Sequence, residues 1–391
     1  MRPESYDLIL VGGGLANGLI AWRLAERARP LRLLLLEQGT SLGGNHTWSF
    51  HEHDLSQAQH NWINPLVAHR WPHYEVIFPT LRRQLHSGYA SITSERFDSQ
   101  LRKRLGERVW LDSRVVALAP RQVTLADGRV LRAKAVIDGR GPRPSPHLQL
   151  GYQKFLGQEL RLDEPHGLVG PVLMDASVAQ HEGYRFVYLL PFSANRLLVE
   201  DTYYADGDQL SSETLRDHIR DYVKQQGWHV SEVLREEQGV LPITLSGDLE
   251  AYCRSHGGQP RSGLAAGLFH ATTGYSLPHA VRLAEQIAGL EEMEAGALAE
   301  LVERRLHQEW KRQGYFRLLN RMLFLAGRPE QRWQVMQRFY GLPEGLIQRF
   351  YAGDLRLADK LRILSGKPPV PLGEALRAML AGRPGIPKHN G

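Results

Sequence analysis

Apolar and polar positions are most sharply organised at the start of the chain. Residues 7–11 form an apolar run rich in strand formers, Gly12-Gly13-Gly14 follows, and residues 15–28 read as a helix. Residues 31–36 make a second buried strand, which Glu37 ends. Strand, glycine turn, helix, strand and acid together predict one βαβ unit. Farther on, 97–105 reads as helix, and 114–119, 123–125 and 130–133 read as short strands. Asp127-Gly128 is a hairpin turn, and 135–138 is a buried strand stopped by Gly139-Arg140-Gly141-Pro142. From 151 to 254 strand-like runs dominate, at 155–162, 184–190 and 196–200. One helix interrupts them, with Leu215, Ile219 and Val223 on one face and Gly227 at its end. The stretch 263–270 is apolar and glycine-rich, 278–290 is a helix, and the last hundred residues are mostly helical. The pattern predicts an α/β fold. A nucleotide-binding domain is built from 1–75, 95–150 and 255–290, an antiparallel β-domain over 151–254 is inserted in it, and a helical region spans 291–391.

Composition narrows the class. The chain has 391 residues, 42% hydrophobic and 23% charged, which is ordinary for a globular protein and excludes disorder. One cysteine, Cys253, excludes a disulfide framework or a Cys-cluster zinc site and fits a reducing compartment. The uncharged run 8–22 contains four glycines and an asparagine and is shorter than the ~20 apolar residues of a membrane span. With Glu4 and Asp7 in place of a basic lead, a cytoplasmic protein is expected, with a peripheral membrane role open. The net charge is +6, and residues 301–366 carry 13 Lys or Arg against 6 Asp or Glu, together with nine aromatics. Basic helices carrying rings suit a lipid surface, and 316–324 is the best local candidate; an amphipathic bundle with its aromatics inside is the competing reading. No nucleic-acid motif accompanies the modest basic balance, so nucleic acid is not expected as a partner. Six histidines between His46 and His73 have no metal-ligand spacing, read as loop and surface residues, and no metal site is expected.

A pyrophosphate needs free N–H donors and no intruding side chain. Gly12 and Gly14 supply the first two positions of a G-x-G-x-x-G turn; the third falls on Asn17, with Gly18 immediately after. Glu37, 23 residues after Gly14, sits where an acid would hold a ribose diol. That acid suits NAD and FAD alike. The N-terminal position, the inserted β-domain and Gly43-Gly44 soon after the second strand favour FAD. Asp138 ends a strand that would pass near the adenosine or pyrophosphate, or is a plain strand end. Thr273-Gly274, turning into the helix at 278, would face the flavin ring or merely pack.

Several segments carry a resemblance to a known family. They are Gly43-Gly44-Asn45-His46-Thr47-Trp48-Ser49-Phe50, Gly151-Tyr152-Gln153-Lys154-Phe155, Pro191-Phe192-Ser193, Leu198-Val199-Glu200-Asp201-Thr202, Gly239-Val240-Leu241-Pro242, His270-Ala271-Thr272-Thr273-Gly274-Tyr275-Ser276 and Arg349-Phe350-Tyr351-Ala352-Gly353. Together, over nearly the whole chain, they resemble the bacterial lycopene β-cyclases. The resemblance implies conversion of lycopene, by way of γ-carotene, to β-carotene. It also implies an FAD that must be reduced, with NAD(P)H as electron source and no net redox change in the product. Asn17 departs from the phosphate fingerprint. The flavin fold of that family is shared with aromatic hydroxylases and geranylgeranyl reductases, so a flavin-dependent isoprenoid or carotenoid reductase or hydroxylase is the alternative.

Closing a ring at a polyene end needs a proton donor held protonated, and a site that keeps water from the cation. Glu200 and Asp201 are the candidate acids. Glu200 follows the apolar run 197–199, where desolvation would keep a carboxyl neutral. Strand neighbours point to opposite faces, so only one of the two should meet the substrate. The family's acidic motif selects Glu200. His270 would be a base or a satisfied core histidine.

Overall fold

The apolar runs at 8–11 and 33–36 become parallel neighbours in one sheet because both of their faces are covered. The computed structural model describes residues 5–180, 183–365, 373, 374, 377 and 378. In chain order it comprises β1 (Ser5–Val11), α1 (Leu15–Leu24), β2 (Leu33–Leu36), β3 (Thr47–His51), α2 (Gln57–Ile63), β4 (His69–Trp71), β5 (Tyr74–Phe78), β6 (Leu81–Leu85), β7 (Tyr89–Thr93), α3 (Ser94–Leu105), β8 (Val109–Trp110), β9 (Val115–Ala119), β10 (Gln122–Leu125) and β11 (Val130–Asp138). There follow β12 (Leu148–Leu162), β13 (Val172–Asp175), β14 (Tyr184–Ser193), β15 (Arg196–Ala205), α4 (Ser212–Gln225), β16 (Val230–Gly247), α5 (Leu249–Arg254), α6 (Leu277–Ala288), α7 (Ala295–Arg312), α8 (Gly314–Leu325), α9 (Arg332–Tyr340), α10 (Glu344–Tyr351) and α11 (Leu357–Leu364).

The first sheet has the order β8-β2-β1-β11-β10-β9; its first four strands are parallel and the last two turn back as a hairpin. Helices α1, α3, α6 and α7 contribute to the core over one face. Helix α1 ends at Leu24, short of the expected 28, because the segment that follows is polar and leads into Pro30. The expected strands at 130–133 and 135–138 are one strand, β11. It pairs with β10 at its start and with β1 along its length.

The second sheet has the order β16-β12-β15-β14-β13-β5-β6 and is antiparallel except at the β13–β5 junction. Two of its strands, β5 and β6, precede residue 151. The long strand β16 has no counterpart among the sequence expectations, because its first half is charged rather than alternating. Helix α4 covers one face of this sheet through Leu215, Ile219, Tyr222 and Val223. The other face packs against the helices after residue 314 and, with the small sheet β3-β7-β4, walls a cavity.

Candidate active site

Strand β15 presents alternate residues to opposite faces of its sheet. Leu197 and Val199 pack toward α4, whereas Leu198 and Tyr204 belong to the core on the cavity side. Glu200 lies on that second face and lines the cavity. Asp201 points the other way. It is wholly buried, its carboxylate held by Arg185 at 3.0 and 3.1 Å and by His218 of α4 at 3.0 Å. Of the two candidate acids only Glu200 lines the cavity; strand alternation places Asp201 in an ion pair on the opposite face of the sheet, which removes it as a candidate to meet the substrate.

The cavity has about 1070 Å³ of empty space, its open mouth included. Its walls are chiefly aromatic and aliphatic, with Trp48, Phe155, Phe186, Tyr188, Tyr204, Tyr275, Leu173, Met174 and Leu241. The phenols satisfy one another rather than facing inward unpaired. Tyr89 bonds Tyr188 at 2.9 Å and Tyr275 at 2.7 Å, and Tyr188 donates to Ser49 at 3.0 Å.

Two acids interrupt this apolar wall. Glu200 sits on β15 and Glu237 on β16, and both are in register with Gly157 of the intervening β12, so the three form one row. A side chain at 157 would stand against Glu200, whose Cβ is 3.3 Å from the position a Cβ would take. Burial, and then the neighbouring Glu237, push the Glu200 carboxyl up to about 8, although the Thr202 hydroxyl donates to it at 2.8 Å. Burial likewise pushes Glu237 up to about 7, against the pull of Arg235 at 3.0 Å and of Thr47. The same guanidinium reaches Glu159 at 3.2 Å, the Asn45 carbonyl at 2.5 Å and the Thr47 hydroxyl at 2.9 Å. Glu237 is not singled out by sequence reasoning. It stands in the charged run Arg235-Glu236-Glu237, and only the pairing with β12 reveals that it is 2% exposed.

The glycine turn is linked to this cavity through the segment that follows Gly43. Gly12 has φ +92°, and a Cβ there would meet the Gly139 carbonyl at 2.9 Å. Nothing stands within 4 Å of a Cβ position at Gly14, and α1 begins there without a side-chain cap. An open, uncapped helix N-terminus is what a pyrophosphate requires. Glu37 accepts from Gly13 N–H at 2.6 Å and from Gly39 N–H at 2.8 Å, which fixes its carboxylate while leaving lone pairs for a diol. Asn17 is buried; its amide donates to the Val11 and Gly12 carbonyls and accepts from Ser262 at 2.7 Å, so its side chain ties the turn together from inside. Close helix packing falls instead to Gly18, where a Cβ would lie 2.2 Å from the Phe97 ring. Asp138 is clamped by Arg140 at 2.8 and 3.0 Å; burial alone would raise its carboxyl, but Arg140 and Arg143 hold it below the usual range. Gly43 donates to the Gly13 carbonyl at 2.9 Å, and Gly43 and Gly44 turn with positive φ into the segment 46–49 that lines the cavity.

Thr273 and Gly274 lie in the cavity wall, apart from the phosphate turn. Near Gly274, the Gln153 carbonyl oxygen is a buried acceptor without a donor among the described residues. The cavity thus has room and an unspent acceptor for the N–H edge of a flavin ring, and the residues present fit FAD. His270 is the satisfied core histidine: Nδ1 faces the Thr272 and Thr273 N–H groups, Nε2 faces the Phe350 carbonyl, and burial lowers it to about 4. Of the six histidines, His51 is buried, contrary to expectation. Cys253, Glu303 and His307 approach within 4.8 Å of one another at the surface. The nine aromatics of 301–366 are buried or half-buried. Phe316 and Phe324 face the core, which removes 316–324 as the lipid-facing candidate.

Fold and site together define a two-domain flavoenzyme-type architecture with a buried acid in an apolar chamber. Similar solved structures include a geranylgeranyl bacteriochlorophyll reductase-like protein from Thermoplasma acidophilum, with TM-score 0.58, 13% identity and coverage of 96% of this chain and 99% of that one. A flavin-dependent brominase is also similar, with TM-score 0.60, 13% identity and coverage of 90% and 94%. The chain belongs to the lycopene cyclase family, whose model, described as lycopene cyclase protein, matches residues 7–377. It is 60% identical over 374 residues to a lycopene beta-cyclase of Pseudescherichia vulneris, covering 96% of this chain and 97% of that one. It is 54% identical over 382 residues to a lycopene beta-cyclase of Pantoea ananas, covering 97% and 99%.

Proposed function

We propose that the protein is a lycopene β-cyclase that closes both ends of lycopene, through γ-carotene, to β-carotene, with Glu200 as proton donor. The observation that carries this reading is a carboxyl on an apolar strand that lines a chamber of rings and aliphatic side chains, with a second acid in the same cross-strand row. Glu200 would protonate the terminal double bond and leave a tertiary carbocation. The next double bond attacks that centre, a six-membered ring closes, and loss of a ring proton completes the β-end group. Trp48, Phe155, Phe186, Tyr188 and Tyr275 would exclude water and turn electron-rich ring faces toward the positive charge. Gly12, Gly14 and the first turn of α1 would hold the FAD pyrophosphate. Glu37 would hold its ribose, and Gly274 and Gln153 would meet its ring. Reduced FAD, maintained by NAD(P)H, would supply negative charge beside the cation.

A lipid surface is the source of the hydrocarbon in this reading. Among the described residues no helix is long and apolar enough to cross a membrane. Support for surface contact comes from α11, where Leu357, Leu361 and Leu364 are 74%, 62% and 38% exposed on successive turns beside Arg356, Lys360 and Arg362. Such a face suits anionic lipid.

The test is anaerobic incubation with lycopene in liposomes, with FAD oxidised or chemically reduced, followed by product mass. An isomer of unchanged mass, formed only with reduced FAD and without net loss of reductant, is expected. A gain in mass with reductant consumed would establish the reductase or hydroxylase instead.

A further inference from the structure

The cyclisation needs a group that removes the ring proton, and the chamber offers a second carboxylate in the right place. Glu237 lines the same cavity as Glu200, on the same face of the sheet, with only Gly157 between them. We propose that Glu237 is the catalytic base of ring closure and that it shares a single proton with Glu200. This inference rests on the reading of Glu200 as proton donor to a polyene end.

The step balances without any oxidant. Glu200 gives its proton to the inner CH carbon of the terminal double bond, so that the positive charge forms on the dimethyl-substituted carbon. The π pair of the second double bond forms the new carbon–carbon bond. The Glu237 carboxylate then takes the ring proton, and that C–H pair becomes the ring double bond. One proton has entered and one has left. The pair again holds one proton, now on Glu237, and it returns to Glu200 across the space that Gly157 leaves open.

The surroundings divide the two roles. Glu237 receives the Arg235 guanidinium at 3.0 Å from its own strand and Thr47 from β3, which favours its ionised form. Arg235 is in turn shared with Glu159 of β12, at 3.2 Å, and Glu95 of α3, at 3.4 Å, and His46 stands nearby. Among the described residues Glu200 has no cationic partner. Its charged or titratable neighbours are Glu237, Tyr188 of β14 and, behind the strand, Asp201, while Thr202 donates at 2.8 Å. An ionised Glu237 therefore keeps the proton on Glu200. Two interacting carboxyls in one apolar cavity ionise in sequence, not together.

The test compares wild type, Glu200→Gln and Glu237→Gln with lycopene and reduced FAD in D2O. In Glu237→Gln, β-ring formation should fall about 100-fold or more, within the range of a lost general base. Recovered lycopene should still gain deuterium at the vinylic CH of each terminal double bond, because Glu200 still protonates reversibly. Any cyclic product should carry its double bond elsewhere in the ring. The alkaline limb of residual kcat/KM should move to lower pH, since the charge that holds the proton on Glu200 is gone. Glu237→Asp, which keeps the charge, should restore part of the rate and the position of that limb. The assignment is overturned if Glu237→Gln makes β-rings at the wild-type rate, or if it loses turnover and terminal deuterium exchange together. Turnover surviving in Glu200→Gln would overturn Glu200 as proton donor, and with it the shared proton, while leaving the cyclase activity to the product-mass test.

Discussion

Replacing Asp201 with alanine would leave the Arg185 guanidinium, whose side chain is 6% exposed, buried behind the second sheet without its carboxylate. Three hydrogen bonds from Arg185 to that carboxylate, at 3.0, 3.1 and 3.2 Å, and the His218 contact at 3.0 Å are lost together. Breaking a buried pair by removing one partner costs ~3–5 kcal/mol, because a charge remains without compensation. At ~2.1 cal/mol/K per residue, a chain of 391 residues has an unfolding entropy of roughly 0.8 kcal/mol/K. The expected fall in Tm is then about 4–6 °C, read by calorimetry on the FAD-loaded protein. Asp201→Asn, which keeps two acceptor sites on one oxygen, should fall by less. Residual activity per folded molecule should stay near wild type, because Asp201 does not reach the cavity. Activity lost with Tm unmoved would refute the assignment of opposite roles to these two adjacent acids.

Glu200→Gln should lower turnover by a factor of about 100 or more without lowering stability at pH 9. The folded carboxyl titrates near 8, above its ordinary 4.5, so the unfolded chain binds fewer protons between those values and stability falls as pH rises through that window. The amide removes this loss, and a Tm at pH 9 several degrees below wild type would contradict the burial of an unpaired acid. Wild-type kcat/KM should be bell-shaped, rising as Glu237 ionises near 7 and falling as Glu200 ionises near 8; a flat profile from 6 to 9 would exclude the acid pair. Glu37→Ala should weaken FAD binding about 10-fold or more, measured by flavin fluorescence, through loss of a charged acceptor. Leu357→Glu with Leu361→Glu should reduce co-sedimentation with anionic vesicles and leave turnover of detergent-solubilised lycopene intact.

The βαβ opening was legible because its strands are continuous apolar runs and its turn is glycine, both local signals. That Glu200 would stand on an apolar strand was legible for a similar reason: an acid directly after Leu197-Leu198-Val199 conflicts with its neighbours. Glu237 was not, because among Arg235 and Glu236 it resembles an ordinary solvated charge. Its burial comes from the register of β16 against β12, which no window of sequence contains. The carboxy-terminal aromatics were ambiguous in a different way. Periodicity shows that rings share a helix face, but not whether that face meets lipid or protein. Phe316, Phe324, Phe350 and Tyr351 meet the second sheet and one another. Asn17 departs from the expected glycine because its amide bonds the carbonyls of Val11 at the strand end and Gly12 in the turn, which a glycine could not.

Arg235 binds Glu237 with the same guanidinium that holds the Asn45 carbonyl and the Thr47 hydroxyl, and that loop begins at Gly43, bonded to the glycine turn at Gly13. Filling the turn and ionising the acid are therefore two occupancy events that share one mechanical element. Equilibrium coupling is reciprocal: if a bound dinucleotide makes Glu237 easier to ionise, then raising the pH must tighten the dinucleotide by the same factor. Affinity for a dinucleotide would then serve as a gauge of the protonation state of a carboxylate in the cavity wall, readable without any turnover at all.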